Sequence, residues 1–188
     1  HPIVPVDVNG INKLAGEWDH LLYNNVYGIR SCALRLTNTY GPGMRVKDAR
    51  QTFVGIWIRN LIEGKPIQVF GDGLQKRDFN YIDDAIDALL LAAESPKADG
   101  QVFNTGSHEV INLRDLAAMM VELREQHHVK GRYEIIPFPP ERKAIDIGDY
   151  YSNYDKIQQA LGWQPKIGLR EGLQKSLDYY MTHLGKYI

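Results

Sequence analysis

Strand-like and helix-like segments alternate along the whole chain of 188 residues, and this alternation restricts the fold more than any other feature. Short runs of β-branched and aromatic residues predict strands, whereas apolar residues recurring every three or four positions predict amphipathic helices. Strand-like residues occur at 29–36, 78–82, 101–105 and 133–138, and a further short run begins at residue 69. Helical spacing covers 7–26, 49–62, 83–94, 112–126, 153–161 and 169–184. Such alternation is typical of the α/β class.

Charge and composition exclude several classes of function. Lys and Arg total 22 against 23 Asp and Glu, so the net charge of −1 provides no basic field for nucleic acid and no basic face for a membrane. No stretch approaches the roughly 18 consecutive apolar residues of a membrane-spanning helix. The single cysteine, Cys32, lies in an apolar run and predicts a buried, inert thiol. One cysteine, with no recognisable signal peptide, favours a reducing, cytoplasmic location.

The segment from Val69 to Asp84 combines a tight turn with two cations. Gly71, Asp72 and Gly73 predict the turn, and Lys76 and Arg77 follow it. An arginine fork presented beside such a turn matches the oxygens of a phosphate. The simplest alternative is a surface hairpin whose charges are solvated.

A dinucleotide-binding turn is missing from the sequence. No Gly-x-Gly-x-x-Gly or Gly-x-x-Gly-x-x-Gly follows any predicted strand. Such a turn normally holds the pyrophosphate of NAD at the start of a helix. The sequence therefore predicts no pyrophosphate cradle within this chain.

Four segments, in order, resemble one known family. Asn-Lys-Leu-Ala-Gly-Glu at 12–17 resembles the helix with a catalytic Tyr-x-x-x-Lys, and 34–42 resembles Arg-x-x-Asn-x-Tyr-Gly-Pro. Residues 71–84 resemble Gly-Asp-Gly-x-x-x-Arg-Asp-Phe-x-Tyr-x-Asp-Asp, followed by Phe-Asn-Thr-Gly-Ser at 103–107 and a Leu-Gly-Trp-x-Pro signature at 161–165. The chain thus resembles the carboxy-terminal half of an extended short-chain dehydrogenase/reductase, of the NAD-dependent nucleotide-sugar epimerase/dehydratase type.

The resemblance implies an architecture for the chain. It predicts part of a doubly wound, Rossmann-like parallel sheet together with a smaller C-terminal α/β substrate-binding domain. Residues 1–48 would be what remains of the Rossmann-like domain, namely the catalytic-lysine helix and the following strand. Residues 49–188 would form mainly the substrate-binding domain, with 78–105 returning to the sheet. The Gly-rich dinucleotide-binding half would lie outside this chain.

The resemblance also assigns roles to individual residues. Lys13 matches the lysine that bonds the nicotinamide ribose of NAD and lowers the pKa of the neighbouring tyrosine, and Tyr40 is placed on the cofactor side. Asn38 matches a residue beside the bound sugar nucleotide, with a turn-forming role as the alternative. Arg77 and Arg142 match arginines that reach the nucleotide, Arg77 at the diphosphate. A surface ion pair is the alternative for Arg77.

Gln51 is a weaker candidate. It stands at the start of a predicted helix, where its amide or the helix N-terminus could meet a phosphate. A polar residue at a helix start is also common without any ligand. No metal site is predicted, because the histidines are scattered and none has the spacing of a ligand set.

One position departs from the family pattern. Four residues before Lys13, where the family has its catalytic tyrosine, this chain has Asn9. A phenol can ionise and accept a hydroxyl proton, but an amide does not titrate in a useful range. Asn9 could orient a sugar hydroxyl, so either another group takes the proton or the redox chemistry is lost.

Three functions follow as hypotheses. The first is the substrate-binding half of an NAD-dependent nucleotide-sugar epimerase or dehydratase, in which a sugar carbon is transiently oxidised. The second is a non-catalytic sugar-nucleotide-binding or dimerisation module. The third is a simple carbonyl reductase, but Arg77 argues against it, because a small carbonyl substrate has no diphosphate for this arginine to bind. The expected partners are a nucleotide diphosphate-sugar and a second copy, which would pack on the first helix near Trp18 and Leu22 as in the family. The alternative is that this helix face covers the sheet.

Overall fold

The computed structural model describes residues 3–48 and 52–188. The helices are α1 Val8–Tyr27, α2 Phe53–Ile62, α3 Ile82–Glu94, α4 Leu113–Glu125, α5 Pro140–Lys143, α6 Asp155–Leu161 and α7 Leu169–His183. The strands are β1 Ala33–Arg35, β2 Asn38–Tyr40, β3 Ile67–Phe70, β4 Lys76–Tyr81, β5 Val102–Asn104, β6 Val110–Asn112 and β7 Tyr133–Ile136. Short 3₁₀ turns occur at Pro96–Ala98 and Leu184–Lys186.

The strands of the described ranges form three small sheets. β1 pairs with β5, and β3 pairs with β7, each in parallel. In the remaining sheet β4 is central, parallel to β2 and antiparallel to β6. Helices lie between the parallel strands, which is the crossover that parallel pairing requires. The predicted α/β class with parallel sheets is confirmed.

Strand β5 brings the chain back to the first strand, β1, and pairs with it. Ala33, Leu34 and Arg35 stand opposite Val102, Phe103 and Asn104. Because β5 follows β4 and α3 in the chain, this pairing joins the C-terminal end of the predicted 78–105 segment to the strand after α1. The division into 1–48 and 49–188 stays a prediction.

Two short strands differ from the sequence-based expectation. Residues 38–40 lie outside every predicted strand, but they form β2, which pairs with 79–81. β6 was not expected at all. Each is three residues long and is held by partners more than 30 residues away in the chain, so no local pattern marks it. The start of the expected helix 49–62 lies outside the described residues at 49–51, and its remainder is α2.

Short-range hydrogen bonds mark the ends of the helices. The carboxylate of Asp7 accepts a hydrogen bond from the backbone N–H of Gly10 at 2.7 Å and begins α1. Gly28 ends α1 with a φ of 67°, a left-handed conformation that favours glycine. The Asn112 amide oxygen accepts from Asp115 N–H at 2.8 Å and begins α4. Among the described residues, no helix combines the length and the apolar character needed to cross a bilayer.

Two apolar cores hold the fold together. The larger lies between α2, α4 and α7 and the strands β2, β3 and β4. The smaller one packs α3 and α6 against β5, with Phe103 and Trp163 at its centre. Helix α1 contributes no buried residue to either core.

Asp84 joins the second core to the C-terminal segment. Its carboxylate accepts hydrogen bonds from the backbone N–H groups of Lys166 and Ile167, both at 3.0 Å. The indole of Trp163 donates to the Asp84 carbonyl at 2.9 Å. Asp84 lies in the first turn of α3, where its buried carboxylate links that helix to the distant 166–167 segment.

Candidate functional site

Arg77 is enclosed rather than pointed into solvent. Its side chain is 12% exposed, and Nη1 donates to the carbonyls of Lys76, at 2.8 Å, and of Gly148. Nη2 lies 3.6 Å from a carboxylate oxygen of Asp146. Burial lowers the pKa of Arg77, while Asp146 and Asp149 act in the opposite direction. The guanidinium therefore lies in a half-closed recess, and the expectation of a solvated surface hairpin does not describe it.

One wall of this recess is residues 146–152, which we call the strap. The Asp149 carboxylate accepts from Lys76 N–H at 2.8 Å, and Tyr150 N–H donates to the Lys76 carbonyl at 2.9 Å. These bonds extend β4 sideways, with Arg77 and Tyr150 forming an isolated parallel bridge. The strap is thus held beside the arginine by two bonds to Lys76.

Asp78 fixes the floor of the recess. This carboxylate is fully buried, and Oδ1 accepts from both the N–H and the hydroxyl of Ser107 at 2.8 Å. Oδ2 accepts from Ser152 N–H at 3.2 Å, at the end of the strap. Burial raises the pKa of Asp78, and the bonds from Ser107 and Ser152 lower it in part. Sequence reasoning missed this role, although the Arg-Asp-Phe order in the motif was visible.

Strand pairing brings Asn38 to the same place. β2 sets Asn38 opposite Phe79, and the Asn38 amide donates to the backbone carbonyl of Asp78 at 3.0 Å. Its amide oxygen has no hydrogen-bond partner within 3–48 and 52–188. Asn38 therefore stands beside the residue that follows Arg77, so the two predicted substrate residues share one site.

Tyr40 lies in the core instead. The side chain is 2% exposed, its hydroxyl donates to the Leu169 carbonyl at 3.2 Å, and its ring meets Phe79 and Tyr81 edge-on. Burial raises the pKa of Tyr40 far above its usual range. This placement gives no support to the prediction that Tyr40 contacts a cofactor, because no face of the phenol is open.

Lys13 and Asn9 are exposed on α1, one turn apart. Neither side chain has a hydrogen bond or an ion pair with any other described residue. An ammonium with three unused donors fits the hydroxyls of a ribose. An exposed amide can donate to or accept from a sugar, but it cannot take up a proton.

An ion pair links α1 to β1. Arg35 meets Glu17 through two parallel bonds, Nε to Oε2 at 2.6 Å and Nη2 to Oε1 at 2.7 Å. These bonds raise the pKa of Arg35. Burial and the charge of Asp78 raise the pKa of Tyr150, and the charge of Arg35 lowers it. The phenol of Tyr150, in the strap, is therefore influenced by the charges of both Asp78 and Arg35.

The remaining predicted residues are less informative. Arg142 is half-buried on the short helix α5, and its side chain has no hydrogen bond or ion pair among the described residues. Gln51 lies outside the described residues. Cys32 is half-buried rather than buried, and burial raises the pKa of its thiol. No group of three or more His, Cys, Asp or Glu within the described ranges is placed to hold a metal ion.

The chain fits NAD only in part. Lys13 offers a free ammonium for the nicotinamide ribose, and it lies on the helix that Arg35 holds beside the Arg77 site. The sequence has no Gly-rich turn for the pyrophosphate of the dinucleotide. A free ammonium is compatible with the nicotinamide end of the cofactor, whereas this sequence offers no turn for its pyrophosphate.

Comparison with known proteins points to one family. The sequence model of the NAD dependent epimerase/dehydratase family matches residues 1–106. A putative UDP-glucose 4-epimerase from Methanocaldococcus jannaschii is 31% identical over 181 residues, which cover 95% of this chain and 55% of that protein. The chain therefore spans about half the length of the curated relatives that it matches.

Solved structures agree with the sequence comparison. A UDP-glucose 4-epimerase from Thermotoga maritima, with UDP-glucose, is 30% identical at a TM-score of 0.80, covering 93% of this chain and 53% of the other. A UDP-glucuronic acid 4-epimerase from Bacillus cereus, in complex with UDP-glucuronic acid and NAD, is 28% identical at a TM-score of 0.78. That match covers 96% of this chain and 54% of the other.

Proposed function

Because the chain belongs to the NAD dependent epimerase/dehydratase family, we propose that it is the substrate-binding half of an enzyme that transiently oxidises a nucleotide diphosphate-sugar. The observation that carries this proposal is the enclosed guanidinium of Arg77. It is 12% exposed, and its neighbours are two backbone carbonyls and a carboxylate at 3.6 Å rather than a close bidentate partner. An arginine held in this way keeps donors that can meet a diphosphate.

Each residue of the site has a separate task in this proposal. Arg77, with Arg142 from the adjoining short helix, would hold the diphosphate, and Asn38 would orient the sugar through its free amide oxygen. Lys13 would donate to the nicotinamide ribose. NAD, when bound, supplies the hydride acceptor for oxidation at the sugar carbon. Asn9 would orient a hydroxyl by hydrogen bonds and would not serve as the base.

The test is a titration of the natural full-length protein with several UDP-, dTDP- and GDP-sugars, followed by calorimetry or thermal shift. Replacing Arg77 with Ala removes charge-assisted bonds of about 1.5–3 kcal/mol, so affinity should fall about tenfold or more. Arg170→Ala is the matched control, because that arginine pairs with Glu122 on an exposed surface. Equal affinity of wild type and Arg77→Ala would remove Arg77 from the site and contradict the proposal.

A second function is favoured by Asn9, because an amide cannot take up a proton. In this alternative the protein keeps the sugar-nucleotide site but performs no redox step, and acts as a binding or assembly module. The two functions differ in their response to NAD. Binding of a nucleotide-sugar together with a complete failure to bind NAD would favour the module, whereas binding of both ligands would favour the enzyme.

We further propose that the natural protein is a homodimer that pairs through α1. The outer face of α1 is exposed in this chain, with Trp18 63% and Leu22 49% accessible. An apolar face of this kind is typical of helices that pack against a partner. Leu22→Asp should shift sedimentation towards monomer, whereas Leu74→Asp, at an equally exposed leucine, should not. A wild-type monomer at high concentration would contradict the dimer.

A further inference from the structure

Helix α1 is attached to the rest of the chain by polar bonds rather than by a core. None of its 20 residues is buried. Besides the Arg35 pair, the side-chain bonds between α1 and later segments involve Ser31, whose hydroxyl donates to the His20 carbonyl at 2.6 Å and whose N–H lies 3.5 Å from the Asn24 side chain. Apolar packing therefore does not fix the rotation of α1 within the described part of the chain.

The Glu17–Arg35 pair has the geometry to fix that rotation. Two parallel bonds between a planar guanidinium and a planar carboxylate define both a distance and an orientation. The side chain of Glu17 is only 10% exposed and that of Arg35 is 40% exposed, so the pair is partly shielded from solvent. A shielded bidentate pair holds its geometry better than an exposed single contact.

Glu17 lies near the cofactor side of the proposed site, and Arg35 lies near its substrate side. Lys13 lies one helical turn before Glu17 on α1, and Asn38 lies three residues after Arg35, at the start of β2. We infer that the Glu17–Arg35 pair is a positioning clamp that sets the cofactor-side lysine at a fixed distance from the substrate-side asparagine. This inference rests on the proposed function, in which Lys13 meets the nicotinamide ribose and Asn38 meets the sugar.

The test measures NAD affinity separately from nucleotide affinity, using the natural full-length protein. Glu17→Gln keeps the size of the side chain and removes the charge. We expect NAD binding to weaken about tenfold, because small displacements of a contacting group cost affinity steeply. Binding of UDP should stay within twofold of wild type, since Arg77 is held by the strap and not by α1.

A double-mutant cycle separates positioning from a structural role. If Glu17 acts through Arg35, Arg35→Gln alone and the double variant should each weaken NAD binding to the same extent as Glu17→Gln. Glu122→Gln is the matched control, because it breaks another two-bond pair with Arg170 that lies on the exposed surface. That control should leave both affinities unchanged.

Every outcome bears on the inference. Lower thermal stability of Glu17→Gln with unchanged NAD affinity would show a structural pair only and would overturn the clamp. Additive losses in the two single variants would also overturn it. If the wild-type protein binds nucleotide-sugars but not NAD, both the clamp and the oxidative function fail. If NAD affinity responds as expected and nucleotide-sugars do not bind, the proposed substrate fails and only the positioning of Lys13 by the pair stands.

Discussion

The substitution Asp78→Asn tests how the floor of the Arg77 recess is held. The carboxylate of Asp78 is fully buried and accepts three hydrogen bonds, two from Ser107 at 2.8 Å and one from Ser152 at 3.2 Å. Asparagine has almost the same shape, but one of its oxygens becomes a donating NH₂. With the amide oxygen kept on the two Ser107 donors, the NH₂ faces the N–H of Ser152, and two donors oppose each other.

The cost can be worked out from these contacts. Losing one hydrogen bond to a charged acceptor costs about 1.5–3 kcal/mol. Part of this is offset, because burial raises the pKa of Asp78, which shows that the buried charge is itself unfavourable. We expect a net loss of about 2 kcal/mol, or a melting temperature lower by roughly 4–8 °C for a chain of this length.

The assay is urea or thermal unfolding of the wild type and the variant, with Asp83→Asn as the control. Asp83 is exposed in the first turn of α3, so its substitution should cost only a few tenths of a kcal/mol, about the value of a helix-dipole interaction. Amide exchange at Ser152 should accelerate in Asp78→Asn. A variant as stable as wild type, with unchanged exchange at Ser152, would refute the assignment of Asp78 as the anchor of the strap.

The pH dependence gives a second check on Asp78. Because burial raises its pKa in the folded state, the folded protein binds more protons than the unfolded chain just above the ordinary aspartate range of about 4. The contribution of Asp78 to stability therefore falls as pH rises through the window between the unfolded and the folded pKa. Asp78→Asn should lack this part of the profile, and an identical pH profile in both proteins would contradict the argument.

Three further substitutions test the packing and capping by unfolding measurements. Gly172→Ala should destabilise by about 2–3 kcal/mol despite the better helix propensity of alanine, because the new Cβ would overlap the Tyr40 hydroxyl; a stabilised variant would contradict this contact. Trp163→Phe should cost about 2 kcal/mol through the lost bond to the Asp84 carbonyl and the space left in the second core, and a neutral result would argue against that bond. Asn112→Ala should cost about 1 kcal/mol and Asn112→Ser much less, since only the second keeps a capping oxygen; equal losses would speak against the cap.

Local chemistry in the sequence determined most of the helices and their ends. Asp7, Gly28 and Asn112 begin or end helices through bonds to residues within five positions, so short patterns carried the information. The motifs also identified the family, because the same residue types recur in that family in this order and at these spacings. The α/β class followed from the alternation of strand-like and helix-like segments alone.

The tertiary structure decided everything that depends on residues far apart in the chain. β2 exists because 38–40 meet 79–81, and Tyr40, which the motif placed on the cofactor side, is carried by that pairing into the core under α7. In the sequence, Asp78 and Asp84 are ordinary polar residues. In the fold they accept hydrogen bonds from the backbone N–H groups of Ser152 and Ile167, which are over 70 positions away in the chain. A single sequence records which groups are present, but the energy of a buried carboxylate depends on which distant N–H groups surround it, and only the folded chain brings those together.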